Sequence, residues 1–299
     1  GRRDSFFQVE GRRGAWFRAG RSVAWPGSTG VPVLVDMPLD ANDPGPEEWV
    51  GPDGVEIPAL PVWHDAPNGV RAWMQPVPTG IWKSRKRVSG PGSGLSPFGD
   101  GTNVGIWSVS AMAPTSTALD SLADLAGQGA ALRLESPLVP GYDSAQGWYL
   151  ESSSIRPMAI LDSTRLSSTR AFSFLVHAAL ASGSTASLLD WSKSDEVVGI
   201  RLELVPSGLH VVAPGIDTSI AMLGTSRFNA IALSWDGFAL RLGLNGRLRL
   251  SLVSDLNGRT SWRPPRIGTG VGVRITQILT ASTAMDAGAL STPPVALEP

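Results

Sequence analysis

From Trp148 to Leu279 apolar and polar residues alternate with a period of two, and this pattern constrains the fold more than any other feature of the chain. In Ala171-Phe172-Ser173-Phe174-Leu175-Val176 the phenylalanines and Val176 share one face. In Ile200-Arg201-Leu202-Glu203-Leu204 three apolar residues face in while Arg201 and Glu203 face out. The same spacing places Ile231, Leu233 and Trp235 on a buried face, and likewise Leu240, Leu242 and Leu244, Leu248, Leu250 and Leu252, and Val271, Val273 and Ile275. One buried and one wet face per strand is what two antiparallel sheets packed face to face require. Asp236-Gly237 and Asn245-Gly246 each separate two alternating runs and favour the primed turns that match strand twist, which predicts a three-stranded meander over 230–253. The expected class is mainly β, with an antiparallel β-sandwich in the C-terminal half built for contact and not for catalysis.

The first half reads differently. Proline recurs at 26, 32, 38, 44, 46, 52, 58, 61, 67, 76 and 78, a density that forbids long helices and limits strands to short or edge positions. Val31 to Leu39 and Gly69 to Val77 are expected strands, with Asp53-Gly54 and Asn68-Gly69 as tight turns. The Gly/Ser-rich stretch 89–94 is a linker by composition, and Val104 to Met112 alternates as a strand does. One short helix is expected near 118–126: Thr117 is an N-cap, Leu119, Leu122 and Leu125 form a stripe, and Gly127 is the stop. The domain reading is 1–145 as a Pro/Gly/Trp-rich β region for docking or assembly, 146–290 as the sandwich, and 291–299 as a tail.

The residues of the second half resemble a known family. Phe172-Ser173-Phe174-Leu175-Val176 resembles the strand with which laminin G-like and concanavalin A-like jelly-roll domains open, after a surface segment that here is Trp148-Tyr149-Leu150-Glu151. The run from Asn229 to Gly246 is similar to the family's central signature, and Val273 to Leu279 to its last strand. Asn229-Ala230 departs from the tryptophan and histidine often found there. Val33 to Asp40 also looks like the family's first strand, so the sandwich begins either near 30, carrying 41–145 as an insertion, or near 146. The resemblance implies glycan or protein binding, calcium at a sheet rim, and a setting like that of tailed-phage virion proteins.

Candidate chemistry is sparse. Histidine occurs only at 64, 177 and 210, without metal-ligand spacing. His177 and His210 read as outward or satisfied strand residues, and His64, beside Asp65, as a loop residue without a nucleophile to activate. No strand carries the alternate carboxylates a glycoside hydrolase places on one face: Glu203 has Arg201 as its same-face neighbour, and Asp195-Glu196 point opposite ways. No phosphate loop, dinucleotide fingerprint or nucleophile elbow is present. The expectation is therefore of a chain that is not an enzyme, with catalytic residues none and no cofactor other than calcium. Two oxygen-rich loops are the calcium candidates, Asp40, Asn42 and Asp43 in one and Asp100 with Asn103 in the other, against the plain reading of both as turns. Trp49, Trp63, Trp73 and Trp82, with Trp25, are candidate platforms for sugar rings; a buried aromatic core also accounts for them and is the preferred reading.

A formal net charge of −1 supplies no general pull toward phosphates and excludes nucleic acid as the main partner; Lys83, Arg85, Lys86 and Arg87 read as a solvated loop. The absence of cysteine removes disulfides, thiolate metal sites and thiol nucleophiles. No apolar run reaches membrane-spanning length, and the N-terminal Gly1 to Glu10 does not read as a signal peptide. The function expected is that of a structural or adhesion component of a phage or phage-like particle, as tail tip, fibre or head decoration. Its partners would be other virion proteins, a cell-surface glycan in host recognition and further copies of itself as a homo-oligomer. The alternatives are a secreted bacterial carbohydrate-binding module and, less favoured, a polysaccharide hydrolase.

Overall fold

The computed structural model describes residues 16–18, 31–37, 47–51, 54, 56–66, 69–75, 81–86, 96–99, 102–111, 117–127, 131–162, 166, 171–181, 183–192, 197, 199–222, 224–257 and 262–297. The class is mainly β, and the C-terminal half forms an antiparallel sandwich. A central sheet runs in the order Val104–Ser108, the second part of Arg266–Ala281, Phe172–Leu180, Asn229–Trp235, Ala239–Leu244 and Arg247–Val253. A back sheet runs Ile216–Ala221, Gly208–Ala213, Ile200–Val205, Ala186–Trp191 and the first part of Arg266–Ala281. Ala159–Ile160, Leu132–Leu138 and Leu119–Leu122 extend it further.

Arg266–Ala281 joins the two layers because it bends. Gly268, Gly270 and Gly272 have φ of +65°, +118° and +83°, a region side-chain-bearing residues avoid, and a Cβ on Gly270 or Gly272 would come within 2.9 and 2.8 Å of Ala186 and Ala181. The bend also corrects a sequence expectation: Val271 lies between two of these glycines and is 52% exposed, while Val273 and Ile275 beyond the corner are buried as expected.

Between the two sheets lies the main core. Phe172, Phe174, Val176, Ile231, Leu233, Trp235, Leu240, Leu242 and Leu244 from the central sheet meet Leu189, Trp191, Ile200, Leu202, Leu204, Leu209 and Val211 from the back sheet. Phe172, Trp191 and Trp262 stack edge to face, at 5.5 and 5.3 Å between centroids. The meander forms, and its second turn has Asn245 at φ +48° and Gly246 at +80°, the primed geometry; the first turn departs from that expectation, a three-residue loop in which Gly237 but not Asp236 has positive φ. At the first turn Asp236 accepts the N–H groups of Ala239 at 2.8 Å and Phe238 at 3.0 Å, and Arg241 donates to it at 2.6 Å. The Ala239 amide, then Arg241, lower its pKa to about 2. The third strand departs from expectation: Leu248 and Leu252 are 52% and 43% exposed, because Arg247–Val253 is the edge of the sheet and a bulge falls opposite Gly243.

The outer face of the central sheet is covered too. Leu175, Ala230, Ala232, Leu279, Ala281, Val104 and Ile106 pack against Leu34, Val62, Trp73 and Phe98 and against a short helix, Ala287–Leu290. Leu34, Val62 and Trp73 belong to an N-terminal sheet in the order Val295–Ala296, Val33–Met37, Gly69–Met74, Ala59–Ala66. The far face of that sheet, with Val33, Val35, Met37, Val70 and Ala72, packs on Trp49 and Ile57. Those two residues come from a small sheet formed by Trp16–Arg18, Ile81–Lys86, Glu47–Val50 and Glu56–Ile57. Four β layers therefore stack. Burial on both faces explains why Val-Leu-Val-Asp-Met at 33–37 lacks a polar alternate position apart from Asp36.

The expected helix near 118–126 is corrected. Leu119–Leu122 is a strand paired with Leu132–Leu138, followed by a turn in which Asp124 accepts the N–H groups of Ile106 and Ala126. Burial of Leu122 in the sandwich core and pairing to the sheet outweigh the weak local propensity of an interrupted leucine stripe. Gly127 does act as a stop, at φ +67°.

Candidate functional site

The hairpin of Gly141–Asp143 and Gly147–Ser154 carries the chain's only two tyrosines. Its turn is set locally: the Asp143 carboxylate accepts the N–H groups of Ala145 and Gln146, both at 2.9 Å, and Gly147 takes φ +84°. Register places Tyr142 opposite Trp148 and Gly141 opposite Tyr149. The two tyrosines therefore occupy opposite faces of the hairpin.

On one face, Tyr142 tilts against Trp148 at 58° with centroids 5.0 Å apart. Trp148 is half-buried, packed on the sandwich core, and its backbone N–H donates to the Ser110 hydroxyl at 2.8 Å. Tyr142 itself is 53% exposed. A braced indole thus holds a phenol ring in water, at a cost in exposed apolar surface that folding alone does not require.

On the other face Tyr149 lies over Gly141, where a Cβ would meet its Cζ at 2.4 Å, and tilts against Phe228 at 5.8 Å. The guanidinium of Arg274 sits 5.3 Å from the Tyr149 ring centre, and its Nε donates to Glu151 at 2.7 Å. That hydrogen bond raises the Arg274 pKa above its ordinary value and keeps the group charged. Glu151 and Arg274 are directly opposite each other across the strand pair. The two faces thus differ: one presents an exposed ring, the other a fixed pair of donor and acceptor groups.

The hairpin turn is clamped by the N-terminal sheet. Arg71 donates to the Ala145 carbonyl at 3.1 Å and to Gln146 at 3.4 Å, while Trp63 lies beneath Gly147. Arg71 in turn sits 4.9 Å over the Trp63 ring.

The residues singled out from sequence fall elsewhere. Trp49, Trp63 and Trp73 are only 2%, 3% and 0% exposed, so as platforms they are corrected: each fills a space between β layers and offers no face to a sugar. Trp82 lies on the strand Ile81–Lys86, with its side chain outside the described residues, as Trp25 is altogether. Of the calcium candidates, Asp40, Asn42, Asp43 and Asp100 lie outside the described residues; Asn103 is exposed, its backbone N–H donating to the Ser282 hydroxyl and its carbonyl accepting from the Ser282 N–H, both at 3.0 Å. Among the described residues no group of three His, Asp or Glu side chains is arranged to hold a metal.

His64 is exposed. His210 is bound on both sides, Nδ1 to Glu203 at 3.1 Å and Nε2 to Asp217 at 2.8 Å, and these bonds, Asp217 first, raise its pKa. His177 corrects the expectation of an outward or satisfied residue. It is buried opposite Gln277, its Nε2 lacks a partner among the described residues, and burial followed by the charge of Arg71 lowers its pKa to about 3.

No site role is expected of Tyr142, Tyr149 or Arg274 from alternation or motif. A signal was present: both tyrosines flank Asp143-Ser144-Ala145-Gln146-Gly147, a turn bounded by a carboxylate and a glycine.

No family model and no curated protein matches the chain. Among solved structures it is similar to a Trypanosoma rangeli sialidase, at 12% identity and a TM-score of 0.48, over 68% of this chain and 32% of that one. It is similar also to the binding domain of botulinum neurotoxin DC in complex with rat synaptotagmin II, at 11% identity and 0.44, over 58% and 49%. A third is the botulinum neurotoxin serotype G binding domain, at 13% identity and 0.41, over 57% and 47%. The chain thus spans a third to a half of the length of these proteins. Enzymes stand among them, which overturns the expectation that the chain is not one, although likeness at this level assigns it no reaction.

Proposed function

We propose that the chain is an adhesion module that binds a glycan at the Gly141–Ser154 hairpin. The observation that carries this reading is Tyr142, 53% exposed and braced by Trp148 at 5.0 Å. Such a ring offers its face to the apolar C–H surface of a pyranose. Trp148, tilted against Tyr142, and Ser110, bonded to the Trp148 backbone, hold the platform in place, while Glu151 and Arg274 lie on the opposite face of the hairpin and take no part in it. The surrounding sandwich positions the platform on strands and not on long loops, so little ordering is required on binding.

The setting we propose is a phage or phage-like particle, with the chain displayed on the virion, in contact with other particle proteins and directed at a host surface. Support for the setting comes from the sequence resemblance alone. Mass spectrometry of purified particles tests it, and failure to find the chain there would remove it.

Titration calorimetry with a panel of neutral and acidic oligosaccharides tests the site. Tyr142→Ala is expected to weaken binding by about tenfold, the equivalent of ~1.4 kcal/mol, with the fold unchanged by circular dichroism. Equal affinity in wild type and variant, or no glycan bound at millimolar concentration, would remove the reading.

A further inference from the structure

Buried polar side chains lie between the N-terminal sheet and the central sheet. His177 stands opposite Gln277, and Gln277 opposite Ser108, on three neighbouring strands, and all three residues are buried. They share the outer face with Leu175, Leu279 and Ile106, the face that the N-terminal sheet covers. The Ser108 hydroxyl donates to the Val62 carbonyl of that sheet at 3.0 Å. From the same sheet, Asp36 and Arg71 point the way that Leu34 and Trp73 point, toward the sandwich.

The charges of this layer balance only while His177 is neutral. Arg71 is matched by Asp36, which accepts from it twice. The other strands around His177 present uncharged groups on that face: Ser108, Gln277, Ala230, Val62 and Trp63. His64 is turned out to water, and Arg274, one pair further along, is bound to Glu151. A proton on His177 therefore adds a second buried cation near Arg71, with one carboxylate to serve both. Arg71 is also the hold of the N-terminal sheet on the hairpin turn, through the Ala145 carbonyl at 3.1 Å and Gln146 at 3.4 Å.

We infer that proton uptake by His177 parts the N-terminal sheet from the sandwich and, by drawing Arg71 away, unclamps the turn of the Gly141–Ser154 hairpin. Burial and the charge of Arg71 hold the His177 pKa at about 3 while the layers are closed, against 6.5 in water. The closed form is thus favoured in full above 6.5 and loses ground as pH falls. At pH 5 the ratio of open to closed is about 30 times its value at neutral pH. A weaker hold on glycan in acid follows from this and rests on the reading of the hairpin given above; the parting of the layers does not.

The chain has no cysteine, so single introduced thiols report opening. Ala230→Cys places one directly across from His177 on the covered face, and Ala178→Cys places one in the core between the two sandwich sheets. Each full-length variant is labelled with a dipyridyl disulfide, and the rate is divided by that of free cysteine at the same pH. From neutral pH to pH 5 the Ala230→Cys rate is expected to rise about 30-fold. At pH 5 it is expected to exceed the Ala178→Cys rate by roughly tenfold or more, because the layers part without unfolding of the sandwich. Adding His177→Gln is expected to remove the rise, whereas His210→Gln, on the outer face of the back sheet, leaves it. No rise in acid, equal rates at the two thiols, or a rise that survives His177→Gln would overturn the inference. Should no oligosaccharide bind at neutral pH, the glycan reading fails and the thiol rates still decide this one.

Discussion

Arg71 and Asp36 form a buried bidentate ion pair, with Nε donating at 2.7 Å to one carboxylate oxygen and Nη2 at 3.0 Å to the other. The two residues lie opposite each other on adjacent strands of the N-terminal sheet, and both are 5% exposed. The same guanidinium reaches the turn of the Gly141–Ser154 hairpin, so one side chain links the N-terminal layers to the candidate site. Removing either partner leaves a charge in a medium that solvates it poorly. Arg71→Ala is expected to lower unfolding free energy by about 3–5 kcal/mol, and the double change Arg71→Met with Asp36→Asn by less, because no unpaired charge remains. Urea denaturation of the wild type and the two variants measures the difference.

His177 sets an acid limit on stability. It is neutral in the folded chain with a pKa of about 3, against 6.5 for the exposed group, so between those values the unfolded chain binds a proton that the folded one refuses. Stability therefore falls as pH drops below 6.5, with a slope approaching about 1.4 kcal/mol per pH unit from this residue. His177→Gln is expected to flatten that limb in denaturant titrations at pH values from neutral to acid. An unchanged slope would show that His177 takes up its proton readily.

His210 acts in the opposite sense. Its folded pKa is raised above 6.5 by Asp217 and then Glu203, so its contribution is fully present below 6.5 and is lost as pH rises through the folded value. Asp217→Asn is expected to bring the NMR-detected His210 titration down toward 6.5 while leaving His177 unchanged. The stability effect is small, since Asp217 is 79% exposed and solvent screens it.

Gly243 admits no side chain. A Cβ there would lie 1.8 Å from the carbonyl oxygen of Ala287, in the helix that caps the outer face of the central sheet. Gly243→Ala is expected to displace Ala287–Leu290 and lower stability by about 1–3 kcal/mol. A thermal midpoint equal to that of the wild type would show that the helix yields at no cost.

The alternation between Trp148 and Leu279 determined the sandwich, its meander and its core, because a period of two with one wet face has few other solutions. Asn245-Gly246 likewise determined its turn, through a φ that few other residues adopt. Three features were decided only by the assembled chain. Leu248, Leu252 and Val271 carry the same local pattern as buried neighbours, yet an edge position and a glycine bend expose them. Leu119 to Leu125 holds a helical stripe, yet a neighbouring strand and the core claim it. His177 and the tryptophans of the first half are buried because a second sheet covers the outer face of the first, and Tyr142 is exposed because Trp148 props it there. Sequence periodicity reports which face a residue takes; whether another layer covers that face depends on contacts between segments more than a hundred residues apart, such as Ser108 to Gln277 and Leu34 to the sandwich.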